Sequence, residues 1–188
     1  MPMQAIEELG AAADAAEPIA LIAAAAGGDA AAFESLYRRF APRVHGLCLR
    51  LTGDHGAAED CTQEAFVAAW RALPRFEGRS RFATWLQRIA IHTALARRRG
   101  LRLRFETAEP AGGLPEHPDP RGDAPALDLE RAIAALPDGP RYVLVLVGIY
   151  GYSHAEAAAI LGVAEGTCKA QLHRARRRLA AALDWEAT

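Results

Sequence analysis

The chain should fold as an all-α protein: two small helical domains joined by a flexible linker, the second carrying a helix-turn-helix. Three observations predict this. Alanine and leucine are abundant while β-branched and aromatic residues are sparse, which favours helix over sheet. Apolar residues recur at three- and four-residue steps in several stretches. Between two such stretches, residues 105–127 hold five prolines and three glycines with no helical period.

Residues 1–26 are alanine-rich without a clear core stripe and read as a loosely ordered tail leading into a helix. From Asp29 the period is strong, through Phe33, Leu36, Tyr37, Phe40, Val44, Leu47, Cys48 and Leu51. Pro42 should break or kink this run into two helices. "TGDHG" at 52–56 marks a turn. The next helix, about 57–73, carries Phe66, Trp70 and Leu73 on one face and Asp60, Glu64 and Arg71 on another; Pro74 ends it. After the loop "RFEGRS", a helix over about 81–99 sets Phe82, Trp85, Leu86, Ile89 and Thr93 on one side. Arg81, Arg88 and Arg99 fall on another. Residues 27–104 thus form the first domain and 105–127 the linker. As a relaxed coil that linker would span about 26 Å, and fully extended about 75 Å.

The second domain covers 128–184. Leu129, Ile133 and Leu136 open it, and "LPDGP" ends their helix. The apolar run at 142–149, "YVLVLVGI", has the length of a strand, but its helical neighbours favour a buried helix. "SHAE" is a capping box in which Ser153 caps the next helix and Glu156 reaches back. Gly162 suits the left-handed position that closes it. A last helix, 165–183, buries Cys168, Leu172, Ala175 and Leu179 at i, i+4, i+7 and i+11.

The formal net charge of −1 hides a sharp segregation. Residues 1–64 carry 10 acidic and 4 basic side chains, whereas residues 71–104 carry 10 arginines against Glu77 alone. Residues 105–140 turn acidic again, 8 against 2, and residues 164–183 hold 5 basic side chains against Glu165. Two basic blocks between acidic stretches predict two contact surfaces for a polyanion.

Other classes fall away. Cys48, Cys61 and Cys168 form no C-x-x-C pair, so neither a disulfide framework nor a zinc site is expected, and a reducing cytoplasm is the natural compartment. The six histidines show no metal-ligand spacing. The acidic start (Glu7, Glu8, Asp14, Glu17) is wrong for a signal peptide, and "IALIAAAAGG" is far shorter than the ~20 residues of a membrane span. No nucleophile–base pair, metal cluster or phosphate loop is visible, so neither an enzyme nor a bound cofactor is expected.

A short helix, a glycine turn and a longer basic helix make a helix-turn-helix. The last helix turns Lys169, Ala170, His173, Arg174, Arg177 and Arg178 away from its apolar stripe, with Gln171 at the border. In a major groove it would offer Lys169, Gln171 and Arg174 to base edges and its later arginines to phosphates. The arginines of 76–99 surround aromatics, a combination that suits single-stranded nucleic acid, where bases stack on rings and cations follow the backbone. Most of the area of Phe82 and Trp85 should nonetheless belong to the core. The better base contacts are the exposed loop Gly78–Arg81 and the polar face with Arg88 and His92.

Residues 32–99, which include "AEDCTQEAFVAAWRAL" and "FATWLQRIA", resemble the promoter-melting domain of extracytoplasmic-function (ECF) sigma factors. Residues 129–179, with "ILGVAEGTCKAQLHRARRRL", resemble that family's −35-binding domain. The resemblance implies a promoter-specificity subunit whose partners are promoter DNA and core RNA polymerase, through its β′ clamp helices and β flap. An anti-sigma factor is a further partner the family admits. Asp60, Gln63, Glu64 and Phe66 match the polymerase-gripping helix, where exposed Asp60 and Glu64 suit a basic partner while Phe66 and Trp70 are expected to be structural. Phe76, Gly78, Arg79, Ser80 and Arg81 match the loop that holds a base flipped from the −10 element, with Arg88, His92 and Arg99 on the helix that tracks the strand. Thr167, Lys169, Ala170, Gln171, His173, Arg174, Arg177 and Arg178 match the −35 reader. Two DNA sites about two helical turns apart lie roughly 70 Å apart, which a relaxed linker misses and an extended one reaches, so the linker is expected to be held extended in the working complex.

The departures are specific. His92 stands where most relatives have asparagine, Ala164 where a capping serine is usual, and Ala170 and Gln171 where serine and arginine are common. The promoter preference is therefore expected to differ from the family's usual one. Two other readings stand beside this one: an autonomous helix-turn-helix regulator, and a sigma mimic that sequesters an anti-sigma factor.

Overall fold

The structure, a computed structural model, describes residues 17–106 and 124–183, with side chains over 17–97 and 128–183. The described residues contain helices and turns and no strand. They belong to two compact units, one over residues 17–106 and the other over residues 124–183.

In the first unit, α1 (Ile19–Ala26) packs on α2 (Ala30–Thr52) and on a short 3₁₀ turn, Leu73–Arg75. Residues 19–26 are thus not loosely ordered. Alanine has the highest helix propensity, and burying Ile22 and Ala25 anchors a helix of eight residues that is too short to stand alone. Asp29 caps α2 by accepting from the N–H groups of Ala31 (2.8 Å) and Ala32 (3.1 Å). Gly53, at φ 72°, closes it in the left-handed region where glycine carries no Cβ penalty. Pro42 does not split α2. Its ring sits on the exposed side, where water can take the carbonyl its missing N–H leaves orphaned.

Asp54 caps α3 (His55–Ala72) through the Ala57 N–H at 2.7 Å. The last helix of this unit, α4 (Phe82–Glu106), runs seven residues beyond the expected end. The core lies where α2, α3 and α4 meet, with Leu36, Leu47, Leu51, Leu73, Phe82, Leu86 and Ile91 fully buried. Each such side chain contributes about 1.5–3 kcal/mol by leaving water. The buried stripe of α4 is Phe82, Leu86, Ala90, Ile91, Ala94 and Leu95; Trp85, Ile89 and Thr93 sit half-buried on its flank.

In the second unit, α5 begins at Ala124 and ends at Ala134. Helix therefore occupies both ends of the segment expected to be linker, and the remainder of it, 107–123, lies outside the described residues. The apolar run is helical, as α6 (Asp138–Val143) continues into a wider π-helical stretch, Leu144–Ile149. Leu144, Val145, Leu146 and Ile149 are buried there. Arg141, only 5% exposed, is buried without any local sequence signal: it donates to the carbonyls of Ala134 (2.9 Å) and Leu136 (3.3 Å), tying the end of α5 to α6.

The capping box on α7 (His154–Leu161) is formed in both directions. Glu156 N–H donates to Ser153 Oγ (3.2 Å), and Ser153 N–H to the Glu156 carboxylate (2.9 Å). Gly162, at φ 69°, makes the turn into α8 (Glu165–Ala182), which buries the anticipated Cys168, Leu172, Ala175 and Leu179.

Candidate polymerase and nucleic-acid interfaces

Asp60 and Glu64 stand four residues apart on α3, so both carboxylates share one exposed edge, with Gln63 exposed beside them. Arg97 of α4 reaches this edge. Its Nη2 lies 2.6 Å from Asp60 and its Nη1 3.0 Å from Glu64, a guanidinium fork that engages both acids. Spacing along α3 alone gave no sign of Arg97. The acids, more than half exposed, keep oxygen surface for a further donor, while Arg97 is 28% exposed. An open groove of about 690 Å³ runs between α3 and α4 here, with Val67, Ala68 and Ala96 as its apolar lining. Phe66 does not belong to this edge. It is 3% exposed and meets the rings of Tyr37 (4.7 Å) and Phe33 (6.3 Å), so it builds the interior instead of greeting a partner.

The loop between the 3₁₀ turn and α4 is held by an aromatic cluster. Phe76 is half-buried, its ring 4.9 Å from Trp85 and 5.9 Å from Phe82. Phe82 is fully buried, and Phe40 closes on its other side at 5.2 Å. Phe82 is therefore core, while Phe76 and Trp85 keep part of their faces in solvent. Gly78 takes φ 67° at the tip, and Arg79 pairs with Glu77 at 2.5 Å. Gly78, Arg79 and Arg81 are exposed and Ser80 is half-buried. Arg88 and His92 are exposed one turn apart on α4. The side chain of Arg99 lies outside the described residues. At the start of α4, the Phe82 N–H donates to the carboxylate of Glu17, a residue that precedes α1.

On α8, Thr167, Lys169, Ala170, His173, Arg174, Arg177 and Arg178 are exposed together, and Arg176 joins them. Lys169 bonds Glu165 at 2.7 Å; that contact raises the ammonium pKa and lowers that of the carboxylate. Gln171 differs from its neighbours. It is half-buried, with its amide against α6, where a Cβ on Gly139 would come within 3.0 Å of its nitrogen. Ala164 at the N-cap has extended backbone (φ −70°, ψ 149°) and supplies no side-chain cap. Among the described residues, no cluster of three or more His, Cys, Asp or Glu could hold a metal ion. None of the described helices is long and apolar enough to cross a membrane.

Comparison with known proteins follows the same two units. Sigma-70 region 2 matches residues 36–104, and sigma-70 region 4 matches residues 126–179. The ECF RNA polymerase sigma factor SigM of Mycobacterium tuberculosis is 36% identical over 170 residues, covering 88% of this chain and 84% of SigM. The chain is an ECF sigma factor. The ECF sigma-E factor of Escherichia coli is 34% identical over 166 residues, covering 81% of this chain and 86% of its own. Among solved structures, RpoE of Bartonella quintana, in complex with the anti-sigma factor NepR, aligns with TM-score 0.60 and 29% identity. That alignment covers 82% of this chain and 98% of RpoE. CnrH, in complex with the cytosolic domain of CnrY, aligns with TM-score 0.54 at 30% identity, covering 87% of this chain and 95% of CnrH. As an ECF sigma factor the protein directs promoter-specific transcription by RNA polymerase and is not an enzyme.

Proposed function

We propose how this sigma factor divides that work. The α3 edge with Asp60, Gln63 and Glu64 docks on the β′ clamp helices of the core enzyme, its acids already steered by Arg97. The loop Phe76–Arg81 holds an unpaired base of the −10 element against the exposed faces of Phe76 and Trp85, and Arg88 and His92 follow the strand beside it. The helix α8 reads the −35 element from the major groove, with Lys169, His173 and Arg174 at base edges and Arg177 and Arg178 on phosphates. The second unit also meets the β flap. The site of action is the cytoplasm, where the polymerase works.

One observation supports this most: the cationic face of α8 lies opposite a fully buried stripe and follows a capped helix and a left-handed glycine turn. A merely solvated basic helix needs neither the turn nor the preceding helix. Because a base must leave its stack at the −10 element, at a cost of a few kcal/mol, the arginines of the first unit would help offset that extraction. An anti-sigma factor is a further partner we propose, supported by the likeness to RpoE solved with NepR.

Run-off transcription with purified core polymerase on a promoter library tests the assignment. Initiation should select sequence at two elements. Core-enzyme association without site-selective initiation overturns it, and so does tight specific duplex binding by the free chain.

A further inference from the structure

The first turn of a helix leaves backbone N–H groups without intrahelical partners, and a side-chain acceptor at the N-cap normally takes one. In α4 the N-cap is Arg81, whose carbonyl accepts from Trp85 N–H at 3.0 Å. An arginine side chain has donors only and cannot serve as that acceptor. The acceptor comes instead from 65 residues upstream, where the Glu17 carboxylate takes the Phe82 N–H.

That bond sits at a decisive place. Phe82 is the first residue of α4 and its ring is fully buried between Phe40, Phe76 and Trp85. The loop Phe76–Arg81 therefore has two fixed ends. At one, Phe76 N–H donates to Leu73 O at 2.9 Å in the 3₁₀ turn, against which α1 packs. At the other, Glu17 pins the backbone of Phe82, and Glu17 is itself tied to the start of α1, where its carbonyl accepts from Ile19 N–H at 2.9 Å. A charged acceptor on a backbone N–H is stronger than a neutral one, and a negative charge here also suits the helix dipole.

We infer that Glu17 is a positioning residue for −10 recognition: by capping α4 it holds the loop Phe76–Arg81 in the geometry that selects the unpaired base. This rests on the loop assignment proposed above. It also explains where the strand does not go. An open helix N-terminus is a ready phosphate site. With a carboxylate already there, phosphate is repelled from the start of α4 and left to the Arg88–His92 flank.

If the loop is ordered only part of the time, base-specific binding falls by that fraction while sequence-independent phosphate binding does not. Base selectivity is thus the quantity to read. The full chain, assembled with core polymerase, is assayed on promoters randomised across the −10 and −35 elements. The readout is the initiation ratio of best to worst base at each selective position. Glu17→Ala should lower the −10 ratio by about fivefold, what a lost helix cap is worth, and leave the −35 ratio unchanged. Glu17→Gln keeps an acceptor and should recover most of the loss. If Glu17→Ala is too unstable to assemble, Glu17→Asp, one methylene short, should lower the −10 ratio alone. An unchanged −10 ratio in the Ala or Asp variant overturns the inference, as does a parallel fall of both ratios. A wild-type holoenzyme with no base preference at −10 overturns the loop assignment itself and the inference with it.

Discussion

Arg97 on α4 bonds Asp60 on α3 at 2.6 Å, across 37 residues of sequence, and takes Glu64 with its other nitrogen. The contact fixes which way the acidic edge points. Glu64→Lys would repel Arg97 and present the wrong sign to a basic partner. It should weaken binding to core polymerase by at least about tenfold, equivalent to 1.4 kcal/mol. Fluorescence anisotropy of labelled protein titrated with core enzyme reads this, with the loss shrinking as salt rises. Affinity equal to the wild type would remove the α3 edge from the polymerase contact.

The reader helix gives a graded test. Arg174 is exposed while the amide of Gln171 leans on Gly139. Arg174→Ala should therefore reduce transcription from −35-dependent promoters about tenfold, within the 1–3 kcal/mol of a lost base contact, and Gln171→Ala should reduce it less. Run-off yields on matched promoters with and without the −35 element decide. The reverse order would mean that Gln171 turns outward on DNA.

Ala164 offers a gain. Its extended backbone at the N-cap of α8 already has the shape a capping serine needs. Ala164→Ser should stabilise the second unit by about 1 kcal/mol, visible as a raised urea midpoint with unchanged slope. A midpoint at or below the wild-type value would show that the N–H groups of α8 gain nothing from a side-chain acceptor.

The three thiols are free and buried. Sulfurs of Cys48 and Cys61 lie 3.2 Å apart, and the contact with Cys48 together with burial pushes the Cys61 thiol well up. Burial also raises Cys168. Thiols that stay protonated and covered react poorly. Iodoacetamide at pH 7.5 should label Cys61 and Cys168 only on unfolding, read by mass spectrometry with and without urea. Rapid labelling of either in the native protein would contradict the packing.

The helix-turn-helix was legible because each of its signals is local: Ser153 and Glu156 three apart, Gly162 at a helix end, Cys168 to Leu179 on one period. The structure adds what no local pattern carries. Arg97 finds Asp60, Glu17 finds Phe82 and Arg141 caps α5 only because helices pack, and no window of sequence holds both partners' surroundings. Pro42 shows the opposite error. The local rule disfavours an interior proline, yet on an exposed face with helix forming on both sides the chain tolerates it. The structural character of Phe66 and the border position of Gln171 follow from helix spacing, but the rings of Phe33 and Tyr37 and the backbone of Gly139 that they lean on do not.

The reach of Glu17 to Phe82 also sets how the promoter-melting half can be excised for separate study. The recognisable region 2 stretch starts at Leu36, in the second turn of α2. A fragment trimmed to that boundary would sever α2, discard the Asp29 cap and α1, and leave the first amide of α4 bare. An isolated fragment of that kind would misreport DNA affinity through damaged architecture, so expression boundaries belong upstream of residue 17.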